Sequence, residues 1–263
     1  MPTPKTFTLN DGNEIPWLAF GTGTALYNKD ASDLVQLAIK TGIIHLDGAQ
    51  VYGNEDSLGA GIKASGKPRS ELFVTTKLRP LSPGQTVDVK ASLQESLKKL
   101  GLDYVDLFLI HFPVENDHKK LQDLWRQFEE VQAAGLAKSI GVSNFRVDHL
   151  QVILQTARVV PAINQVRSLL PQLSTDSISY QIELHPYVWA SSKPIVDFAK
   201  QNGIVIESYG GQAPVARVPG GPVDPVLQSV RVRLQETRGA PVTAGQVLSK
   251  WLVQRGIVVV TYV

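Results

Sequence analysis

The sequence predicts an α/β fold, a (β/α)8 TIM barrel with an N-terminal β-hairpin, on three observations. Eight short runs rich in β-branched and aliphatic residues alternate with eight longer segments of helical period, the order that builds a parallel sheet. Gly42, Gly101, Gly135, Gly203 and Gly256 follow the helical segments at or near the position where a left-handed cap is needed. Asp47, Tyr52, Lys77 and His111 sit at or just past the ends of three of the short runs, and the C-terminal ends of barrel strands are where catalytic groups converge.

Taken in order, Phe7-Thr8-Leu9, Asn10-Asp11-Gly12-Asn13 and Glu14-Ile15-Pro16 read as a hairpin, with Asp-Gly at the turn. The barrel strands follow at 18–21, 43–47, 72–77, 105–111, 139–144, 162–165, 204–209 and 257–261, each a short apolar run bounded by turn residues. Helices are expected at 32–40, 55–64, 87–100, 119–134, 147–155, 193–201, 225–236 and 243–254, where apolar residues recur three and four apart. The Gly- and Pro-rich stretch 215–225 reads as a loop.

With 263 residues and 43% hydrophobic content, the chain is large enough for one barrel domain spanning 1–263. A net charge of +2 with no basic stripe argues against a nucleic-acid partner. No apolar run is long enough for a membrane helix, and no signal peptide is evident, so a cytoplasmic monomer is expected. The absence of cysteine excludes disulfides, thiolate chemistry and cysteine-based metal sites, and no metal site is expected.

The four strand-end residues fit the reduction of a carbonyl. Hydride addition leaves an alkoxide, which needs an acid beside the oxygen. Tyr52 can be that acid if a nearby ammonium, Lys77, lowers its reference pKa of about 10. Asp47 would pair with Lys77, and His111 would hydrogen-bond the substrate oxygen. Taken singly, each residue has an ordinary explanation as a solvated ion pair or a packed ring; together on one barrel face they make a site.

The run from Gly42 to Glu55, Gly-Ile-Ile-His-Leu-Asp-Gly-Ala-Gln-Val-Tyr-Gly-Asn-Glu, closely resembles the first signature of the aldo-keto reductases. Leu107-Phe108-Leu109-Ile110-His111-Phe112-Pro113 resembles their histidine strand. Thr75-Thr76-Lys77, Lys138-Ser139-Ile140-Gly141-Val142-Ser143-Asn144-Phe145 and Glu183-Leu184-His185-Pro186-Tyr187 extend the match over almost the whole chain. Residues 21–27 look most like fungal members. The resemblance implies NADPH as hydride donor, an aldehyde or ketone substrate, and Asp47, Tyr52, Lys77 and His111 as a catalytic tetrad. It also implies that Ser143 and Asn144 bind the nicotinamide carboxamide, that Tyr209 stacks on the ring, and that Gly23, Thr24 and Asp47 lie along the cofactor. Without it, a Ser-Asn pair reads as a helix cap and Tyr209 as rim packing.

Two departures bear on function. The family motif Asn-Gln-Ile-Glu is split here by residues 166–181, a polar, Pro-broken segment expected to be a loop; the cofactor-contacting Gln is then Gln165 or Gln181, with strand position favouring Gln165. The sequence also ends where the resemblance expects a 2′-phosphate clamp, a last helix and a C-terminal loop. NADH therefore enters as a possible donor, and one apolar side of the first and last barrel strands is expected to be exposed. Arg79 and Gly210-Gly211 replace an aromatic and Ser-Pro at the pocket wall. The competing reading is a weak or inactive barrel, either a regulatory or binding subunit or the product of an imperfectly processed gene.

Overall fold

The computed structural model describes residues 6–82, 84–166 and 184–261. Strands β1 (Thr6–Thr8) and β2 (Glu14–Pro16) pair antiparallel, with Phe7 opposite Ile15. Leu9 N donates to Asn13 O, and Gly12 takes a φ of 85°, so the hairpin closes at the predicted Asp-Gly. Leu9 and Ile15 are buried against Phe73, Ile163 and Val258, the first residues of three barrel strands. The hairpin is thus a plug at the N-terminal end.

Eight parallel strands form a closed barrel: β3 (Leu18–Gly21), β4 (His45–Asp47), β5 (Phe73–Leu78), β6 (Val105–Ile110), β7 (Ala137–Ser143), β8 (Ile163–Val166), β9 (Val205–Tyr209) and β10 (Val258–Thr261), with β10 paired back onto β3. The helices are α1 (Ser32–Lys40), α2 (Glu55–Ser65), α3 (Val89–Leu100), α4 (His118–Ala133), α5 (Val147–Leu154), α6 (Trp189–Gln201), α7 (Ala213–Ala216), α8 (Asp224–Arg238) and α9 (Ala244–Val253). None of the described helices is long and apolar enough to cross a membrane. Alternation along each strand sorts the side chains. In β6, Leu107 and Leu109 face the lumen, while Phe108 and Ile110 face the helices, where Phe108 stacks on Phe128 at 4.6 Å.

Several expectations are corrected. Strand β4 starts at His45 rather than 43, and Ile43 and Ile44 pack from the side against the outer core. Helix α6 starts at Trp189, before the predicted 193, and carries Pro194 in its interior. A 3-10 turn at Pro186–Val188 leads directly into the helix, and Trp189 meets Trp251 of α9 edge-on at 5.2 Å. The loop expected at 215–225 is shorter. Its flanking prolines, Pro214 and Pro225, lie in the first turns of α7 and α8, where a missing N–H costs nothing. The insert expected from 166 yields its first residue to the sheet, since Val166 is the last residue of β8 and pairs with Ser208; 167–183, including Gln181, lies outside the described residues. The predicted exposure of the first and last barrel strands is not found. Their outward residues Phe20 (6% exposed) and Val259 (0%) share a core with Val35 and Ile39 of α1 and Leu252 and Val253 of α9.

At the N-terminal end, Asp106 of β6 accepts from Val74 N at 2.9 Å, pairs with Arg69 at 2.6 Å and receives Lys138 Nζ at 2.9 Å. The acid is buried while Lys138 is half exposed, so the cluster acts as a staple across the barrel's base. Asp106→Ala is expected to cost about 2 kcal/mol, below the value for a fully buried pair because the cations keep some water. Urea unfolding should show that loss without a change in kcat/KM, the base being remote from the strand ends where the site lies.

Candidate active site

Lys77 is the last inward-facing residue of β5 and is fully buried. Its Nζ donates to Asp47 Oδ1 and Oδ2 at 2.7 and 2.8 Å and to Gly48 O at 2.8 Å. Asp47 ends the adjacent strand β4, so sheet pairing alone brings the two residues together. Burial is the largest single influence and works against the ammonium, but Asp47, Tyr52 and Glu207 together outweigh it and hold Lys77 above the ordinary lysine range.

Tyr52 ends the 3-10 turn Gln50–Tyr52 that follows β4, and Gly53 closes the turn with a φ of 66°. Its hydroxyl lies 3.4 Å from Lys77 Nζ. Gly23 supports the ring from the β3 side, where a Cβ would come within 2.5 Å of Tyr52 Cζ. No larger residue fits there without moving the phenol. The expected lowering of the phenol's pKa is reversed. Burial pushes Tyr52 up to about 12, and the Lys77 ammonium pulls down only in part. His111 follows β6, is 7% exposed, and meets the Tyr52 ring edge-on at 5.6 Å.

The expected cofactor residues surround the same mouth. Asn144 takes a φ of 63°, with its Nδ2 donating to His111 O at 2.9 Å and Ser143 Oγ at 3.0 Å. Ser143 Oγ donates in turn to Gln165 O at 3.0 Å. Neither residue caps the next helix, whose N-cap is Arg146. Asn144 Oδ1 is buried with no hydrogen-bond partner among the described residues, an acceptor that suits the amide N–H of a nicotinamide carboxamide. The residues present therefore fit such a cofactor. The Thr24 and Tyr209 hydroxyls are hydrogen-bonded to each other, joining the β3 loop to the end of β9. Gln165 has another commitment besides the cofactor role expected for it: its Nε2 donates to Asp47 Oδ2 at 2.8 Å and to Glu207 Oε2 at 2.9 Å.

Sequence reasoning missed two residues inside the lumen, Glu207 and His45. Both were legible as inward-facing, since they lie two positions before Tyr209 and Asp47 on their strands. His45 Nδ1 donates to Pro16 O at 3.3 Å, which leaves Nε2 to accept from Thr75 Oγ1 at 3.0 Å. Burial drives His45 down to about 4, so it is neutral. Burial, reinforced by the nearby Asp47 charge, pushes Glu207 up to about 8.

An ion-paired lysine beside a phenol and a histidine, at the strand ends of a barrel, is an arrangement chemically able to move a proton to or from a small molecule. Residues 17–211 match the Aldo/keto reductase family. The chain is 36% identical over 260 residues to the NAD/NADP-dependent indole-3-acetaldehyde reductase of Schizosaccharomyces pombe, covering 95% of this chain and 82% of that protein. It is 34% identical over 262 residues to the glyoxal reductase of Bacillus subtilis, covering 99% and 83%. Among solved structures, a Bombyx mori aldo-keto reductase in complex with NADP superposes with a TM-score of 0.78 at 32% identity, covering 100% of this chain and 84% of that one. The chain belongs to the aldo/keto reductase family, a family of oxidoreductases.

The buried neutral imidazole predicts an acid limit to stability. Unfolded His45 has a pKa near the ordinary 6.5 and the folded group titrates near 4, so between these values the unfolded chain binds more protons. The contribution is complete above 6.5 and is lost as pH falls through 4, with a slope of at most about 1.4 kcal/mol per pH unit. In chemical denaturation across pH 4 to 7, the difference in stability between wild type and His45→Asn should carry this slope. A constant difference would mean that His45 is protonated in the folded state.

Proposed function

We propose that this chain reduces a small aldehyde or ketone to the alcohol, with NADPH as hydride donor and NADH as an alternative, and with Tyr52 as the general acid. The reading is carried by one observation: a buried ammonium, neutralised by Asp47, lies within 3.4 Å of the phenol oxygen. The reduced nicotinamide, when bound, supplies the hydride. Ser143 and Asn144 Oδ1, which has no partner among the described residues, would hold its carboxamide, and Tyr209, Gly23 and Thr24 would line its binding surface.

The chain's own residues manage the proton. With a pKa of about 12, Tyr52 stays protonated throughout the neutral range. An alkoxide is about as basic as hydroxide, whose conjugate acid lies near 15.7, so transfer from the phenol to the reduced oxygen runs downhill. Lys77 then stabilises the phenolate that remains, which is where negative charge develops. His111, edge-on to the Tyr52 ring, presents a second polar edge to the carbonyl oxygen and fixes its direction. Use of both cofactors is supported by the name of the Schizosaccharomyces pombe relative, an NAD/NADP-dependent reductase.

The test combines NADPH binding, followed by fluorescence, with NADPH consumption on a panel of small aldehydes and ketones. Wild type should bind and consume the cofactor. Tyr52→Phe should still bind it while kcat falls about 10²–10⁴-fold, the usual contribution of a positioned acid. Binding without turnover in wild type would favour a binding subunit over an enzyme, and unchanged turnover in the variant would remove Tyr52 from its role.

A further inference from the structure

The lumen holds a carboxyl group that the proposed mechanism does not use. Glu207 lies in the middle of β9, 0% exposed, two residues below Tyr209. Its Oε2 accepts from Gln165 Nε2, and the same nitrogen donates its other hydrogen to Asp47 Oδ2. An unbroken path therefore runs from Glu207 through Gln165, Asp47 and Lys77 to the Tyr52 hydroxyl, with no link longer than 3.4 Å. Glu207 Oε1, also buried, has no hydrogen-bond partner among the described residues; His45 Nε2 lies 3.8 Å away, already engaged by Thr75.

We propose that Glu207 is a positioning residue for proton delivery: through Gln165 it fixes Asp47, and by keeping its own proton it spares the Asp47–Lys77–Tyr52 chain a second negative charge. This rests on the reductase reading above. Three observations support it. One amide nitrogen can bridge two carboxyl groups this closely with least repulsion when only one of them is charged. An ionised carboxylate with one oxygen buried and unpartnered would bear a large desolvation penalty that a protonated one avoids. Lys77, the cation whose charge acts on Glu207, already gives its donors to Asp47 and Gly48.

The charged and titratable groups facing Glu207 are Asp47 and His45 from β4 and Lys77 from β5, with the neutral Gln165 from β8; on β10 its pairing partner is the apolar Val258. His45 is neutral above about pH 4, and Lys77 is held charged. Glu207 is therefore the group in this set that changes charge near pH 8. When it does, the added negative charge makes Tyr52 a weaker acid, and reduction slows.

Two measurements test this. In the apo protein labelled with carboxyl-13C glutamate, one glutamate should titrate with a midpoint near pH 8, and its signal should be missing from Glu207→Gln. If no glutamate titrates above pH 7, the proposal fails, whether or not the variant folds. For carbonyl reduction at saturating cofactor, wild-type kcat should fall about three- to tenfold between pH 7 and 9, the effect of roughly one pK unit on the acid, with KM for the carbonyl little changed. Glu207→Gln keeps an acceptor for Gln165 but cannot ionise, so this alkaline fall should be absent. The same fall in both proteins overturns the proposal. A chain that reduces no carbonyl overturns the reductase reading instead, and the apo titration tells the two failures apart.

Discussion

The Asp47–Lys77 ion pair is the constraint on which the rest of the site depends. A lysine with no solvent exposure is tolerable only if every N–H has a partner and the charge is matched, and Lys77 meets both conditions within 2.8 Å. Losing either partner would strand a charge in the lumen. The need is met by the sheet itself, because β4 and β5 are neighbours and both residues occupy inward positions near the strand ends. The pair therefore forms with the barrel and costs no loop ordering. Once it is in place, Tyr52 is the nearest group able to use the ammonium's field, and Gly23 removes the side chain that would crowd it.

The lumen around that pair is electrically balanced. His45 is neutral because burial disfavours its cation, and Glu207 is neutral below about pH 8 because burial and Asp47 disfavour its anion. One cation and one anion remain, in contact. A further charge at either position would act on Lys77 and Tyr52 in a medium with little screening. The polar middle of the barrel thus has a physical reason to stay neutral. The apolar plug of Leu9, Ile15, Phe73, Leu107 and Ile163 below it closes the N-terminal end to water.

Much of this was legible in the sequence. Strand ends followed by chemistry-bearing residues picked out Asp47, Tyr52, Lys77 and His111, and short apolar runs between helical segments marked all eight barrel strands. What escaped had identifiable causes. The early start of α6 and the short α7 escaped because proline, rare in helix interiors, is accommodated in a first turn at Pro214 and, at Pro194, inside a helix anchored by Trp189. The direction of the Tyr52 shift was misjudged because a sequence displays the neighbouring ammonium but not the desolvation that outweighs it. Glu207 and His45 were passed over as members of apolar runs, though the alternation that placed Tyr209 and Asp47 in the lumen places them there too.

The network also changes how the two halves of the chain relate. Asp47, Tyr52, Lys77 and His111 all come from the segment before residue 112, while the residues expected to contact the cofactor are spread along the chain. Gln165 ties the two groups together. Its amide nitrogen, contributed by β8, holds Asp47 on the opposite side of the lumen, and Glu207 of β9 holds Gln165. The geometry of Asp47, and through it of Lys77 and Tyr52, depends on strands that lie more than a hundred residues further along. Val166, at the start of the inserted segment, still pairs with Ser208, which keeps Gln165 in register beside Glu207. An insertion after that pair leaves the bridge intact, whereas a one-residue slip before it would turn Gln165 out of the lumen and leave the buried Asp47 one donor short.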